Sequence, residues 1–384
     1  MRPRLPVSSD SVASGVYLAV CASMMTGDVV SFYLPERRAL CGRDPLTLDP
    51  DRNWEVFGTG VYVWILQTFL RLRHAGAPVR LDTSPPSSGV VVAHADYVER
   101  LLGEAEYPAR LTIVSARADR RPQLLADVEI VQNASSAEDY QIFIPSWLQP
   151  GLIPRDLSRG NTVEEIAYVG ARKQLHAELA TPEWVDTLRA LGLRWDMRMI
   201  AFASNDQLYS DHRWNDYSTT DVMVALRPPE LWAARSKPAA KLQNAWAAGT
   251  PAVLSPERAY KELRRSELDY LEARSAAEVI EAVRALRSNA SLYRGMVLNG
   301  EERARDYHPD RLVARWIEAL WEEVPARVDG PAQRLLAHAR RYRALARRAR
   351  SGWRTGRTAW SGARHSGHGA AAIPREDDSA RYAR

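Results

Sequence analysis

From residue 29 onward the chain alternates short apolar runs with segments of helical period. Residues 29–34, 79–81, 90–93, 111–114 and 128–131 have the length and β-branched content of strands buried on both faces. Between them, residues 61–74 carry helical spacing, opened by Gly58-Thr59-Gly60 and stopped at Gly76, as do residues 96–102. A turn rich in proline, serine and glycine occupies residues 85–89. A second series begins at residues 166–169 and continues with a helix over 182–191 and strands over 195–202, 221–226, 251–254 and 270–272. Ser275 and Glu278 form a capping box that opens another helix, and residues 310–323 have a long amphipathic period. Strands alternating with helices predict parallel sheets covered on both faces, here two Rossmann-like domains. Residues 142–155, with three prolines and Trp147, carry no period and read as the connector. The expected division is 1–145, 146–329 and a tail over 330–384.

The stretch 236–262 organises the second series. Ser236 reads as an N-cap, Pro238 lies near the first helical position, and Gly249-Thr250-Pro251 reads as the stop, so a helix of about three turns is expected. Leu242, Ala245 and Trp246 share one face of it, and Lys237, Lys241, Asn244 and Ala248 another. Two lysines near the positive end of a helix dipole are disfavoured by about 0.3–1 kcal/mol each unless an anion joins them. A phosphate is the natural anion for a helix start. The bland alternative is an ordinary amphipathic helix with solvated lysines. The apolar run 252–254 then predicts a buried parallel strand.

The run Asn244-Ala245-Trp246-Ala247-Ala248-Gly249-Thr250-Pro251 resembles the E-A-M-A-x-G-x-P half of the E-x7-E motif in the carboxy-terminal domain of GT-B glycosyltransferases. The second glutamate of that motif, which grips the nucleotide ribose, is Asn244 here, and the first falls on Ser236. An amide still hydrogen-bonds a hydroxyl but without the charge that makes a carboxylate bond about twice as strong. The resemblance implies two domains facing a cleft, a nucleotide-diphosphate sugar as donor and no cofactor. It implies basic residues after the first strand of the second domain against the diphosphate, here Gly170-Ala171-Arg172-Lys173, converging with Lys237 and Lys241. It also implies that Gly249 and Thr250 line the donor site, that Glu257 and Glu262, after the strand at 252–254, contact sugar or diphosphate, with Glu257, nearer the strand end, the catalytic candidate beside His94, and that the final helix returns to the first domain. Four cations can neutralise the departing diphosphate without a metal.

On the acceptor side, Gly58 and Gly60 form a weak glycine loop before a helix, and His94 directly follows a strand. Carboxyl ends of strands in open α/β sheets face the ligand crevice, so His94 can touch the sugar or move a proton. Trp214, with Asp216 and Tyr217, offers an aromatic for the nucleobase or merely caps the core. Each of these side chains has an ordinary structural reading as a loop, cap or surface group. The acceptor, a glycan, a lipid-linked sugar or a small molecule, is left open, as is the stereochemical outcome.

Composition narrows the rest. Two cysteines, Cys21 and Cys41, make no disulfide framework or metal-ligand pattern and suit a reducing cytosol. The apolar run 16–25 is too short to span a bilayer, and no cleavage site follows it, so a cytoplasmic protein is expected. The net charge of +5 hides an asymmetry, because ten arginines and no acid lie between Arg334 and Arg364; taking those ten from +5 leaves −5 for the remainder. Leu335, Ala339, Tyr342, Ala346, Ala349 and Trp353 repeat at helical spacing among them, so a basic amphipathic helix and an anionic membrane surface as its partner are expected. Residues after 361 read as disordered. No nucleic-acid module is recognisable, and nucleic acid is not the expected partner. Two rival functions stand beside glycosyl transfer. A nucleotide-sugar 2-epimerase of similar architecture would need several cleft carboxylates and histidines in the first domain, where His94 is the one obvious candidate. A non-catalytic binding protein using the basic tail would bind no nucleotide sugar.

Overall fold

The computed structural model describes residues 28–37, 40, 42–199 and 213–330, together with residues 335 and 339. Residues 334–364 apart from Leu335 and Ala339, both cysteines, the apolar run 16–25 and residues 200–212 lie outside the described set. Within it the chain builds two parallel sheets. The first has strands β1 (Val30–Tyr33), β2 (Val79–Asp82), β3 (Gly89–His94), β4 (Leu111–Ala116), β5 (Val128–Val131) and β6 (Gln141–Phe143), in the order β2-β1-β3-β4-β5-β6. The second has β7 (Glu165–Gly170), β8 (Arg194–Met199), β9 (Val222–Ala225), β10 (Ala252–Leu254) and β11 (Leu271–Glu272), in the order β11-β10-β9-β7-β8. Every pairing within both sheets is parallel. In each sheet the first strand lies between the second and the third, the doubly wound order whose switch point opens a crevice at the carboxyl ends of those strands. The fold is therefore two Rossmann-like domains facing a cleft, the GT-B arrangement.

Strand pattern explains the cores. Val222 and Val224 point into one apolar cluster with Trp184 and Leu188 of α3 (Pro182–Ala190) and Val279, Val283 and Leu286 of α6 (Ala276–Ser288). Met223 and Ala225 point to the opposite face, against Leu242, Ala245 and Trp246 of α4 (Ala240–Ala247). The expected apolar face of α4 is thus the buried one. The helix begins later than its sequence suggests: Ala239, not Ser236, is the N-cap, and no side chain caps it. The reason lies across the cleft, where Gln132 and Asn133 donate to the carbonyls of Ser236 and Lys237 and hold that segment out of helical geometry. Ser275 caps its helix as read, its Oγ accepting from the Glu278 amide at 3.2 Å, while the Glu278 carboxylate reaches back one residue further than the capping box has it, to the Arg274 amide at 2.9 Å.

Elsewhere the helices include α1 (Gln67–His74), preceded by a π-helical turn over Tyr62–Leu66, α2 (Val98–Glu104), and α5 (Arg258–Leu263). A further helix, α7 (Ala290–Ala304), packs on α4, with Gly300 against Trp246. The return helix α8 (Pro309–Glu318) then puts Leu312, Val313, Trp316 and Ile317 into the core of the first sheet, followed by α9 (Val324–Val328). Trp316 is fully buried and meets Trp64 at 6.4 Å between ring centroids. Large aromatic truncations in a packed core cost about 3–5 kcal/mol. Trp316→Ala is accordingly expected to lower the chemical-denaturation midpoint of the first domain by that much stability, while the far-UV signal of the native state is retained.

Candidate active site

The crevice is lined from below by the carboxyl ends of the second sheet. Gly170 closes β7, Arg227 and Glu257 follow β9 and β10 by two and three residues, and Lys241 sits in the first turn of α4. The Lys241 ammonium nitrogen is wholly enclosed, although other atoms of the residue keep some exposure, and it has no hydrogen-bond partner. It lies 4.2 Å from the centre of the Tyr168 ring. A Cβ on Gly170 would stand 2.6 Å from that nitrogen and 2.7 Å from the Tyr168 hydroxyl, so only glycine lets the backbone come this close. Burial, then repulsion from Arg227, with partial relief from Glu257, pulls the pKa of Lys241 well below its ordinary value. Arg227 is itself buried and donates to Glu257 Oε2 at 2.8 Å, while the Ser255 hydroxyl donates to Glu257 Oε1 at 2.8 Å. Glu257 is thus held as the counter-ion of a buried cation pair, and Tyr260, whose buried hydroxyl has no partner, is close enough to feel both charges.

The upper wall comes from the first sheet. His94 ends β3 at 1% exposure; its Nδ1 accepts from the Asp96 amide at 3.2 Å, capping the turn Ala95–Tyr97. With Nδ1 an acceptor, the proton of the neutral ring is on Nε2, which has no partner. A Cβ on Gly60 would lie 3.3 Å from Nε2, so the glycine loop does border this imidazole. Burial lowers the His94 pKa to about 4, against a weaker opposing pull from Asp96. After β4 the chain turns through Ala118, whose φ of 51° is left-handed, a conformation that costs a non-glycine residue roughly 1–2 kcal/mol. Such strain persists where the surroundings impose it and clusters at functional sites. That turn presents Asp119 to Lys237, Oδ2 to Nζ at 2.8 Å, across the cleft.

Other residues singled out in the sequence have different surroundings from those expected. Arg172 and Lys173 are exposed on the short turn Arg172–Gln174; the buried cation that meets Lys241 is Arg227, which the sequence reading passed over. Arg227 lies at a strand's carboxyl end, the same signal that marks His94. Asn244 Oδ1 accepts from the Gln149 amide at 2.9 Å, tying the connector to α4 and taking up one of its two lone pairs. Trp214 is buried edge-on against Trp54 at 5.5 Å rather than presented for stacking, because the connector folds it between the domains. Glu262 accepts from the Ala134 amide and the Ser135 hydroxyl, so its carboxylate joins the two domains. Gly249 and Thr250 turn the chain between α4 and β10, with Thr250 donating to the Thr220 carbonyl at 3.3 Å. Gly58 sits in the loop ahead of the helix. Among the described residues no group of His, Cys, Asp or Glu is arranged to hold a metal ion, and no helix is long and apolar enough to cross a membrane.

His94 predicts a pH dependence. Its folded pKa of about 4 lies below the unfolded value of 6.5, so on acidification the unfolded chain takes up this proton first. Stability is expected to fall from pH 6.5 towards pH 4, by on the order of 3 kcal/mol at the lower end. Thermal melts across that range should show the slope in the unmodified chain and a shallower one in His94→Gln.

Residues 169–318, from the end of β7 to the end of α8, match the model of the glycosyl transferase-like family. No curated protein sequence matches the chain. Solved structures with a similar course include Anabaena HepE in complex with UDP and glucose, at 10% identity and a TM-score of 0.43 over 75% of this chain and 97% of that one. AviGT4, a glycosyltransferase involved in avilamycin A biosynthesis, aligns at 15% identity and 0.46 over 77% and 98%. The sucrose-phosphate synthase of Thermosynechococcus elongatus aligns at 14% identity and 0.40 over 74% and 82%. Over residues 169–318 this chain is thus similar to the glycosyl transferase-like family, and its two parallel sheets have the GT-B arrangement.

Proposed function

We propose that the chain transfers a sugar from a nucleoside-diphosphate donor to an acceptor hydroxyl, of a glycan, a lipid-linked sugar or a small molecule, bound against the first domain. The observation that carries this reading is the enclosed, unpartnered Lys241 ammonium beside buried Arg227 at the strand ends. A diphosphate there supplies the counter-charge that Lys241 lacks, beside an Arg227 already paired with Glu257, and its own negative charge grows as the sugar leaves, so the same side chains stabilise the departing group. Lys237 adds a third cation from the start of the α4 segment. Glu257 fixes Arg227, and His94 offers Nε2–H to the sugar or acceptor. Arg172 and Lys173 lie close to the β7 end in sequence and serve as outer contacts to the donor.

A thermal-shift panel of UDP-, GDP-, ADP- and dTDP-sugars tests the donor reading; no shift with any of them would sink it. Lys241→Ala is expected to weaken nucleoside diphosphate binding by about 1.5–3 kcal/mol while leaving nucleoside binding nearly unchanged. Equal losses for both would remove Lys241 from the diphosphate.

The basic segment from Arg334 to Arg364 belongs to the same proposal as an attachment to anionic membrane surface, worth up to about 1 kcal/mol per charge near the headgroups. It would bring the enzyme to a lipid-linked acceptor on the cytoplasmic face. Ending the chain at Gly330 is expected to release it from anionic vesicles in a sedimentation assay with nucleotide binding intact. Full-length protein that stays in the supernatant at low salt would contradict the attachment.

A further inference from the structure

The ion pair between Lys237 and Asp119 joins the two walls of the cleft. Lys237 contributes a side chain 4% exposed, Asp119 one 34% exposed. Around them stand Arg120 and His94 on the first-domain side and Arg227 and Lys241 on the second. Burial pushes the Asp119 carboxyl up, but Lys237, by charge and hydrogen bond, and then Arg120 hold it below the usual aspartate range. The carboxylate reaches this position through the left-handed turn at Ala118, whose carbonyl is gripped by Gln132. The same Gln132 amide also holds the Ser236 carbonyl next to Lys237, so one side chain fixes both halves of the pair.

We propose that Asp119 occupies, in the unliganded protein, the ion-pairing place of the donor diphosphate, so that donor binding exchanges Lys237 from Asp119 to the diphosphate and leaves Asp119 beside His94, facing the acceptor. This rests on the donor reading above and adds an order to it. Lys237, Lys241 and Arg227 form one cationic row with a protein carboxylate at each end, Glu257 at one and Asp119 at the other. Both carboxylates are doubly bonded, Asp119 through Oδ1 to Arg120 at 2.8 Å and through Oδ2 to Lys237, but Glu257 is enclosed whereas Asp119 is partly exposed, the one an incoming ligand can replace. Before the exchange Asp119 Oδ2 is occupied by Lys237; after it, that oxygen is available to an acceptor hydroxyl while Oδ1 keeps Arg120. Donor therefore precedes acceptor.

Isothermal titration of the full-length chain with inorganic pyrophosphate and with UDP tests the exchange. Asp119→Asn removes the competing anion and is expected to tighten both ligands by about 3- to 10-fold. Lys237→Ala should weaken both, and in that background Asp119→Asn should change nothing, since the two residues act as one coupled pair. Unchanged or weaker binding in Asp119→Asn overturns the exchange, as does an equal gain with and without Lys237. Absence of pyrophosphate and UDP binding by the unmodified chain overturns the donor reading and the exchange with it; binding without the gain overturns the exchange alone.

Discussion

Keeping positive charge out of water is the constraint on which the cleft depends. An ammonium or guanidinium buried without a partner is so costly that proteins pair it or deprotonate it. Here Lys241 has the face of Tyr168 as its nearest support, an interaction worth about 2 kcal/mol when desolvated, and a backbone that only Gly170 brings within reach. Arg227 has Glu257, itself braced by Ser255. Lys237 reaches over the domain boundary for Asp119. The placement of three strand ends, one helix start and a strained turn in the opposite domain follows from meeting these needs together.

Much of the architecture was legible because both-face-buried strands leave continuous apolar runs, and those runs sit where β1, β3, β4, β5, β7 and β9 form. Elements such as α7 and β6 left no such trace. The inward positions of α7 are Tyr293, Met296, Gly300 and Arg303, a helical spacing whose apolar signal is broken by a glycine needed for contact with Trp246 and by an arginine that stacks on the same indole. Strand β6 is three residues long, begins with buried Gln141, and runs into Pro145, so it reads as the opening of the connector.

The site was legible in part and for a clear reason. His94 and Gly170 follow from the rule that ligands gather at strand carboxyl ends, and Lys241 from its place near a helix start. Arg227 obeys the first rule equally, yet it is followed by two prolines and looks like a turn residue in one dimension. Asp119 had no local signal at all: its meaning comes from the Ala118 backbone and from a lysine 118 residues further on. Asn244, Trp214 and Glu262 illustrate the converse, side chains with suggestive neighbours in sequence whose polar or aromatic groups are taken up by the connector and the domain boundary.

The connector itself has a mechanical consequence. Gly151 is held from both sides, its amide donating to Asp51 of the first domain and its carbonyl accepting from Asn215 of the second, and Trp147 is pinned to Thr68 just before it. The chain crosses between the domains a second time ahead of α8, which is locked into the first core by Trp316. Two fixed crossings define a hinge axis, as two pins do for a door. An opening of the cleft that keeps both crossings would be a swing about that line rather than a sliding apart. In such a swing the parts farthest from the axis would travel most, and Asn244, bonded to the connector at Gln149, lies near the pivot.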